Sequence, residues 1–318
     1  MQPSSPPHPD DGPELAEGLT EYLAAVRRPP GAMPSLETMR LIADRDAHRL
    51  ACPRPAGMTV TDSYVVGETV ETPVRIYRPA GEGAQPAILY LHGGGFTIGS
   101  IESYDCLAAA LAQASGATVV SVHYARLPES TPRATIAQCH GVLCWTARMA
   151  ESLGIDPARI AVAGDSAGAF LATHLAMQVR DRGGPALTCQ LLCYGVYDLD
   201  PQREAYAAAS DPALPRAVID AMITTYRQCT ERDAAPVPAP LRADDLSGLP
   251  PAVLLGAGHD PMATEGDEYA SALRAAGVAV EERLATGMCH GFLRAMRFSS
   301  AARAEMLWLG TAFRKHVQ

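Results

Sequence analysis

The stretch Ile160-Ala161-Val162-Ala163-Gly164-Asp165-Ser166-Ala167-Gly168 joins an apolar run to the helix-like segment Phe170-Leu171-Ala172-Thr173-His174-Leu175. Strand, sharp turn and helix in that order, with a serine at the apex, is the context in which G-x-S-x-G predicts a nucleophile elbow. The glycines have a steric reason. Lifting a hydroxyl above a sheet needs strained dihedrals and close backbone approach, which a Cβ at Gly164 or Gly168 would obstruct. Alone, the pentapeptide could be a small-residue turn in a chain with 27 glycines. With its flanks it predicts a serine hydrolase.

A second apolar run, Ala87-Ile88-Leu89-Tyr90-Leu91, ends in His92-Gly93-Gly94-Gly95-Phe96. A glycine loop at the end of a strand can bring backbone N–H groups close to a developing oxyanion, so Gly93, Gly94 and Ala167 are the expected donors. The loop lacks both the lysine of a Walker motif and the G-x-G-x-x-G spacing, which weakens a phosphate-cradle reading. His92 is expected to shape this loop. A catalytic base should come from its own loop, after the acid in chain order.

Two C-terminal segments offer those partners. The run Ala252-Val253-Leu254-Leu255-Gly256 reads as a buried strand with Asp260-Pro261 beyond its end, and Gly287-Met288-Cys289-His290-Gly291-Phe292 offers one histidine after a further strand. The order Ser166, Asp260, His290 is the α/β-hydrolase order, distinct from those of chymotrypsin and subtilisin. Glu265, Asp267 and Glu268 fall in a helix-like stretch and are expected to face solvent. Cys289 is expected to have a packing role, because adjacency in sequence is not the geometry of a nucleophile and its base.

With these residues in place, the chain resembles the hormone-sensitive-lipase-like esterases, and within them the bacterial acetyl esterases. The resemblance rests on His92-Gly93-Gly94-Gly95-Phe96, Gly164-Asp165-Ser166-Ala167-Gly168, Asp245-Leu246-Ser247-Gly248-Leu249-Pro250-Pro251, Asp260-Pro261 and His290-Gly291-Phe292, and runs from about Arg75 to the C-terminus. It implies hydrolysis of short acyl esters, acetyl to butyryl, through an acyl-enzyme, with no cofactor and no metal. The family usually has Asp-Tyr-Arg-Leu-Ala-Pro-Glu where this chain has His123-Tyr124-Ala125-Arg126-Leu127-Pro128-Glu129, and often a second acid where it has Thr264. The first departure puts packing beneath the site in question, the second the support of Asp260. An amidase or aryl-formamide hydrolase would use the same triad. A hormone-binding receptor on this scaffold would be expected to lack His290.

Strand-like and helix-like stretches alternate after an expected hairpin between Met58 and Pro79, which predicts an α/β class chain with a mostly parallel, doubly wound sheet and a helical cap. The expected division is 1–57 for the N-terminal tip and cap helices, 58–197 for the first part of the core, 198–249 for a cap insertion and 250–318 for the rest of the core. Leu15, Leu19, Tyr22, Leu23 and Val26, then Leu36, Met39, Ala43, Ala47 and Leu50 behind a Ser35 N-cap, recur at helical spacing around Pro29-Pro30-Gly31. In the insertion, Val218, Met222, Ile223 and Tyr226 form one apolar face.

The 318 residues are 47% hydrophobic and carry a net charge of −9, which argues against nucleic acid or an anionic membrane as partner and favours small neutral esters. The eight cysteines lack C-x-x-C spacing and are expected to be reduced. The N-terminus lacks a secretory pattern and no apolar run could span a membrane. Those features predict a cytoplasmic enzyme; the sequence leaves monomer and homodimer both open. His48, His140, His174 and His316 are expected on the surface or satisfied in the core.

Overall fold

The computed structural model describes residues 14–26, 34–67 and 71–318. The proline-rich tip and Pro29-Pro30-Gly31 lie outside them. Eight strands form one sheet: β1 (Thr59–Val66), β2 (Glu71–Arg78), β3 (Gln85–Leu91), β4 (Thr118–Val122), β5 (Ile155–Asp165), β6 (Leu187–Cys193), β7 (Ala252–Ala257) and β8 (Val280–Ala285). Their order is β1-β2-β4-β3-β5-β6-β7-β8. β1 and β2 are the expected antiparallel hairpin, with Val60 opposite Tyr77, and β2 meets β4 antiparallel. Every later pairing is parallel, which brings the carboxyl ends of β3, β5, β6 and β7 to one edge.

The interior strands are apolar almost throughout because helices cover both sheet faces. Alternation along β3 divides the core: Leu89 and Leu91 join Val162, Phe170 and Ile219 on one face, while Ile88 and Tyr90 join Val119, Leu107 and Leu309 on the other. α4 (Pro132–Arg148), α6 (Ala167–Arg182) and α9 (Ala263–Ala275) lie on the first face. α3 (Asp105–Ser115) and α10 (Ser300–Arg314) pack together on the second. The short α5 (Ala150–Leu153) leads into β5, which begins at Ile155, earlier than the Arg159 start that the apolar run suggests.

The remaining helices are α1 (Leu19–Val26), α2 (Leu36–Leu50), α7 (Glu204–Ala207) and α8 (Arg216–Thr230). Ser35 caps α2 as expected, accepting from the Thr38 N–H at 3.2 Å. α8 buries Ile219, Met222, Ile223, Tyr226 and Cys229, whereas Val218 is 39% exposed. The apolar stripe is therefore one residue away from the expected Val218, since Ile219, not Val218, shares the face of Met222, Ile223 and Tyr226 at three- and four-residue spacing. Among the described residues no helix is long and apolar enough to cross a membrane.

Candidate active site

The elbow is built where β5 stops at Asp165 and α6 starts at Ala167. Ser166 sits between them at φ 54° and ψ −123°, a backbone state that a side chain adopts only under constraint. Two neighbours supply the constraint. A Cβ on Gly164 would run into the Gly168 backbone, and one on Gly168 into the Leu91 carbonyl oxygen, so the first glycine lets α6 fold back on β5 and the second lets it press against the end of β3. The Ser166 N–H is anchored to the Cys193 carbonyl at 2.9 Å.

His290 Nε2 lies 2.8 Å from Ser166 Oγ, and its Nδ1 lies 2.6 Å from Asp260 Oδ2. A carboxylate can only accept there, so Nδ1 carries the proton and Nε2 is left to accept from the serine. Burial would lower the His290 pKa, but the charge and hydrogen bond of Asp260 outweigh it and raise the pKa above its ordinary value. Asp260 is itself held by the Met262 N–H, 2.8 Å from Oδ1, so its orientation does not depend on an acid at Thr264. The three residues expected to act together meet at one point.

The oxyanion loop departs from expectation at one donor. The Gly93 N–H is given to Asp165 Oδ1 at 2.9 Å, and the Tyr90 hydroxyl donates to the same oxygen at 2.6 Å. Gly93 therefore serves the loop's attachment to the elbow and has no proton left for a substrate. The N–H groups of Gly94, Gly95 and Ala167 have no partner among the described residues. Burial raises the Asp165 pKa to about 6, against the pull of Tyr90 and Gly93. His92 behaves as an architectural residue: it stacks on Tyr124 at 4.2 Å, bonds the Gly93 carbonyl through Nδ1 at 2.8 Å, and burial drives its pKa down to about 3. The divergent run supports the loop, with Tyr124 donating to the His92 carbonyl at 2.5 Å and Arg126 to the Gly99 carbonyl at 2.6 Å.

A family model described as the alpha/beta hydrolase fold matches residues 88–294, which includes all these loops. The chain belongs to the α/β-hydrolase family, in its hormone-sensitive-lipase-like branch. It is 34% identical over 288 residues to the carboxylic ester hydrolase LipN of Mycobacterium tuberculosis, covering 87% of this chain and 77% of that one. It is 32% identical to an ethyl acetate hydrolase of Pseudomonas putida, covering 88% of each. Among solved structures, an esterase of Pyrobaculum calidifontis superposes with a TM-score of 0.85 at 30% identity, over 93% of this chain and 97% of that one. Membership at this identity and coverage makes the chain a serine carboxylesterase.

In this α/β-hydrolase the 198–249 segment reaches both site loops. Met222 of α8 lies beside Gly95, 3.5 Å from where a Cβ would be, and the Tyr226 ring is 5.1 Å from that of Phe96. Asp211, which sequence reasoning missed, is 2% exposed and accepts from the N–H of His290 at 2.6 Å and of Ala213 at 2.7 Å. Glu265 corrects the expected solvent-facing helix: it is wholly buried and accepts from the Tyr206 hydroxyl at 3.0 Å and from the N–H groups of Tyr197 and Asp198. No motif marks either carboxylate, because the partners that tie them to the site and the core, the His290 N–H for Asp211 and Tyr197, Asp198 and Tyr206 for Glu265, are distant in sequence. His174 is buried and driven to a pKa of about 4 by that burial, with Nε2 unpartnered. Cys289 is buried and its thiol is pushed up to about 12, which suits packing and not nucleophilic attack. Among the described residues no group of three His, Cys, Asp or Glu could hold a metal ion.

Proposed function

We propose that this carboxylesterase hydrolyses short acyl esters through a covalent acyl-enzyme on Ser166. The observation that carries the reading is the continuous chain from Ser166 Oγ to His290 Nε2 at 2.8 Å and from Nδ1 to Asp260 at 2.6 Å. His290 takes the serine proton as Oγ bonds to the ester carbonyl carbon, and Asp260 holds the imidazole tautomer and stabilises its cation. The unpartnered N–H groups of Gly94, Gly95 and Ala167 receive the tetrahedral oxyanion, each worth about 3 kcal/mol of barrier. His290 returns the proton to the leaving alkoxide. Water then gives its proton to His290 and attacks the acyl carbon; the bond to Ser166 Oγ breaks as His290 returns that proton to Oγ, and the acid leaves.

Two features support a short acyl group. Met222, Phe96 and Tyr226 crowd the loop on the α8 side, and one relative is named for ethyl acetate. Each added methylene gains about 0.8 kcal/mol in an open apolar pocket, so preference for short chains requires such a wall. All eight cysteines are free, which supports a reducing, cytoplasmic setting. With p-nitrophenyl esters, kcat/KM is expected to peak at or below butyrate and fall by octanoate. A phosphonate probe should add once, to Ser166, and Ser166→Ala should lose roughly a million-fold in kcat. A peak at decanoate overturns the chain-length reading, and an adduct elsewhere overturns the nucleophile.

A further inference from the structure

The loops that carry the acid and the base are tied to each other, and a third segment ties both. His259, the residue before Asp260, gives its N–H to the Met288 carbonyl at 2.9 Å, and Met288 stands two residues before His290. Residues 14–18, ahead of α1, then bond to each loop. The Ala16 N–H donates to the Gly287 carbonyl at 2.8 Å, and the Glu14 carbonyl accepts from His259 Nε2 at 2.9 Å. A carbonyl can only accept, so Nε2 carries the ring proton.

The contact is built and anchored. Gly287 is held at φ 73°, and a Cβ on it would stand 3.2 Å from the Ala16 nitrogen, so both the turn and the close approach favour glycine there. Beyond the contact, Gly18 is pressed against the Phe298 carbonyl, the Ser300 hydroxyl donates to the Glu17 carboxylate at 3.1 Å, and Leu19 is wholly buried. The segment therefore has a fixed end from which to hold the loops. His259 and Gly287 stand one and three residues from the two groups whose 2.6 Å contact orients the imidazole. A misplacement of about 1 Å in such a pair costs on the order of a hundredfold in rate.

We propose that His259 is a positioning residue and residues 14–18 a positioning strap for the Asp260–His290 pair: the strap clamps the acid loop and the base loop at one point and so fixes the contact across which the imidazole is held. The inference rests on the esterase reading above. It gives the N-terminal segment a place in turnover, separate from any covering of the substrate cleft by α1 and α2.

His259→Phe keeps a ring and removes the donor, whereas His259→Gln keeps an N–H that can reach the same carbonyl. Rates on p-nitrophenyl acetate are taken per active site, counted with a phosphonate, so that unfolded enzyme does not enter kcat. His259→Phe should lose about five- to tenfold in kcat with KM unchanged, and His259→Gln should regain part of it. The acid limb of kcat/KM should move to lower pH in His259→Phe, because a less closely held Asp260 raises the His290 pKa less; Asp211 and Asp165, the other carboxylates that act on His290, are unaltered. Deleting residues 1–16, which leaves Gly18 and α1 in place, should give the same loss, and His259→Phe should add nothing to it. Three results would each overturn the proposal: a lowered Tm with kcat per site and the limb unmoved, a raised KM alone, or losses that add in the double variant. Failure of the wild type on p-nitrophenyl acetate itself would instead overturn the esterase reading.

Discussion

At the level of single residues, the chemistry depends on which proton each heteroatom holds. His290 must be neutral to accept from Ser166, and the charge of Asp260, with Asp211 adding to it, raises its pKa above the ordinary 6.5 despite burial. Activity should therefore rise with pH along an acid limb whose midpoint lies above 6.5. Below that midpoint the imidazolium cannot take the serine proton. Asp211→Asn removes one of the charges that raise the pKa and keeps one acceptor oxygen, so the limb should move to lower pH. Asp211→Ala also frees the His290 N–H that fixes the loop, with an expected loss of roughly 10–100-fold in kcat from a displaced imidazole. A pH profile of kcat/KM for both variants measures this. An unmoved limb in Asp211→Asn would show that the carboxylate does not act on His290.

At the level of elements, α1 and α2 are attached to the core by a few well-placed contacts. Leu19 and Tyr22 are buried at 0% and 4% exposure. Gly18, at φ 81°, lies so close to the Phe298 carbonyl that a Cβ would collide with it. From α2, Arg40 donates to the Thr97 carbonyl at 2.8 Å and the Leu127 carbonyl at 3.0 Å, and pairs with Glu129 at 2.7 Å. Burial pushes neither helix toward independence; at 8 and 15 residues they are too short to persist alone in water. Deleting residues 1–50 should expose Phe298, the α3 start and the loop at Thr97, with a raised KM or with aggregation as the result. Steady-state kinetics and light scattering decide the matter: a soluble enzyme with unchanged KM would remove these helices from the site.

At the level of the whole molecule, the 198–249 segment is joined to the core by a buried acid. Glu265 accepts from Tyr197, Asp198 and Tyr206, and burial raises its pKa well above the ordinary carboxyl value. Removing the acceptor leaves three donors inside the protein, each costing about 1–3 kcal/mol when unsatisfied. Glu265→Ala should therefore lower Tm by several degrees and loosen the segment bearing Asp211. Asp267→Asn, on the exposed side of the same helix, should stay within about 0.5 kcal/mol of the parent. Thermal unfolding of the two variants gives the comparison, and equal effects would refute the special place of Glu265.

Local steric rules made much of this protein legible from residues alone. Gly164-Asp165-Ser166-Ala167-Gly168 between a strand and a helix has few other solutions, alternation of apolar runs dictates parallel strands, and chain order places Asp260 and His290 at neighbouring strand ends. What remained for tertiary structure was decided by competition between partners far apart in sequence. The Gly93 N–H turns away from the site because Asp165, 72 residues later, accepts it; Glu265 turns inward because Tyr197, Asp198 and Tyr206 arrive with donors. Val218 yields its place to Ile219 because the phase of α8 is set by the surface it meets. A sequence shows which groups can donate, accept or bury themselves. Only the folded chain decides which of them find each other first.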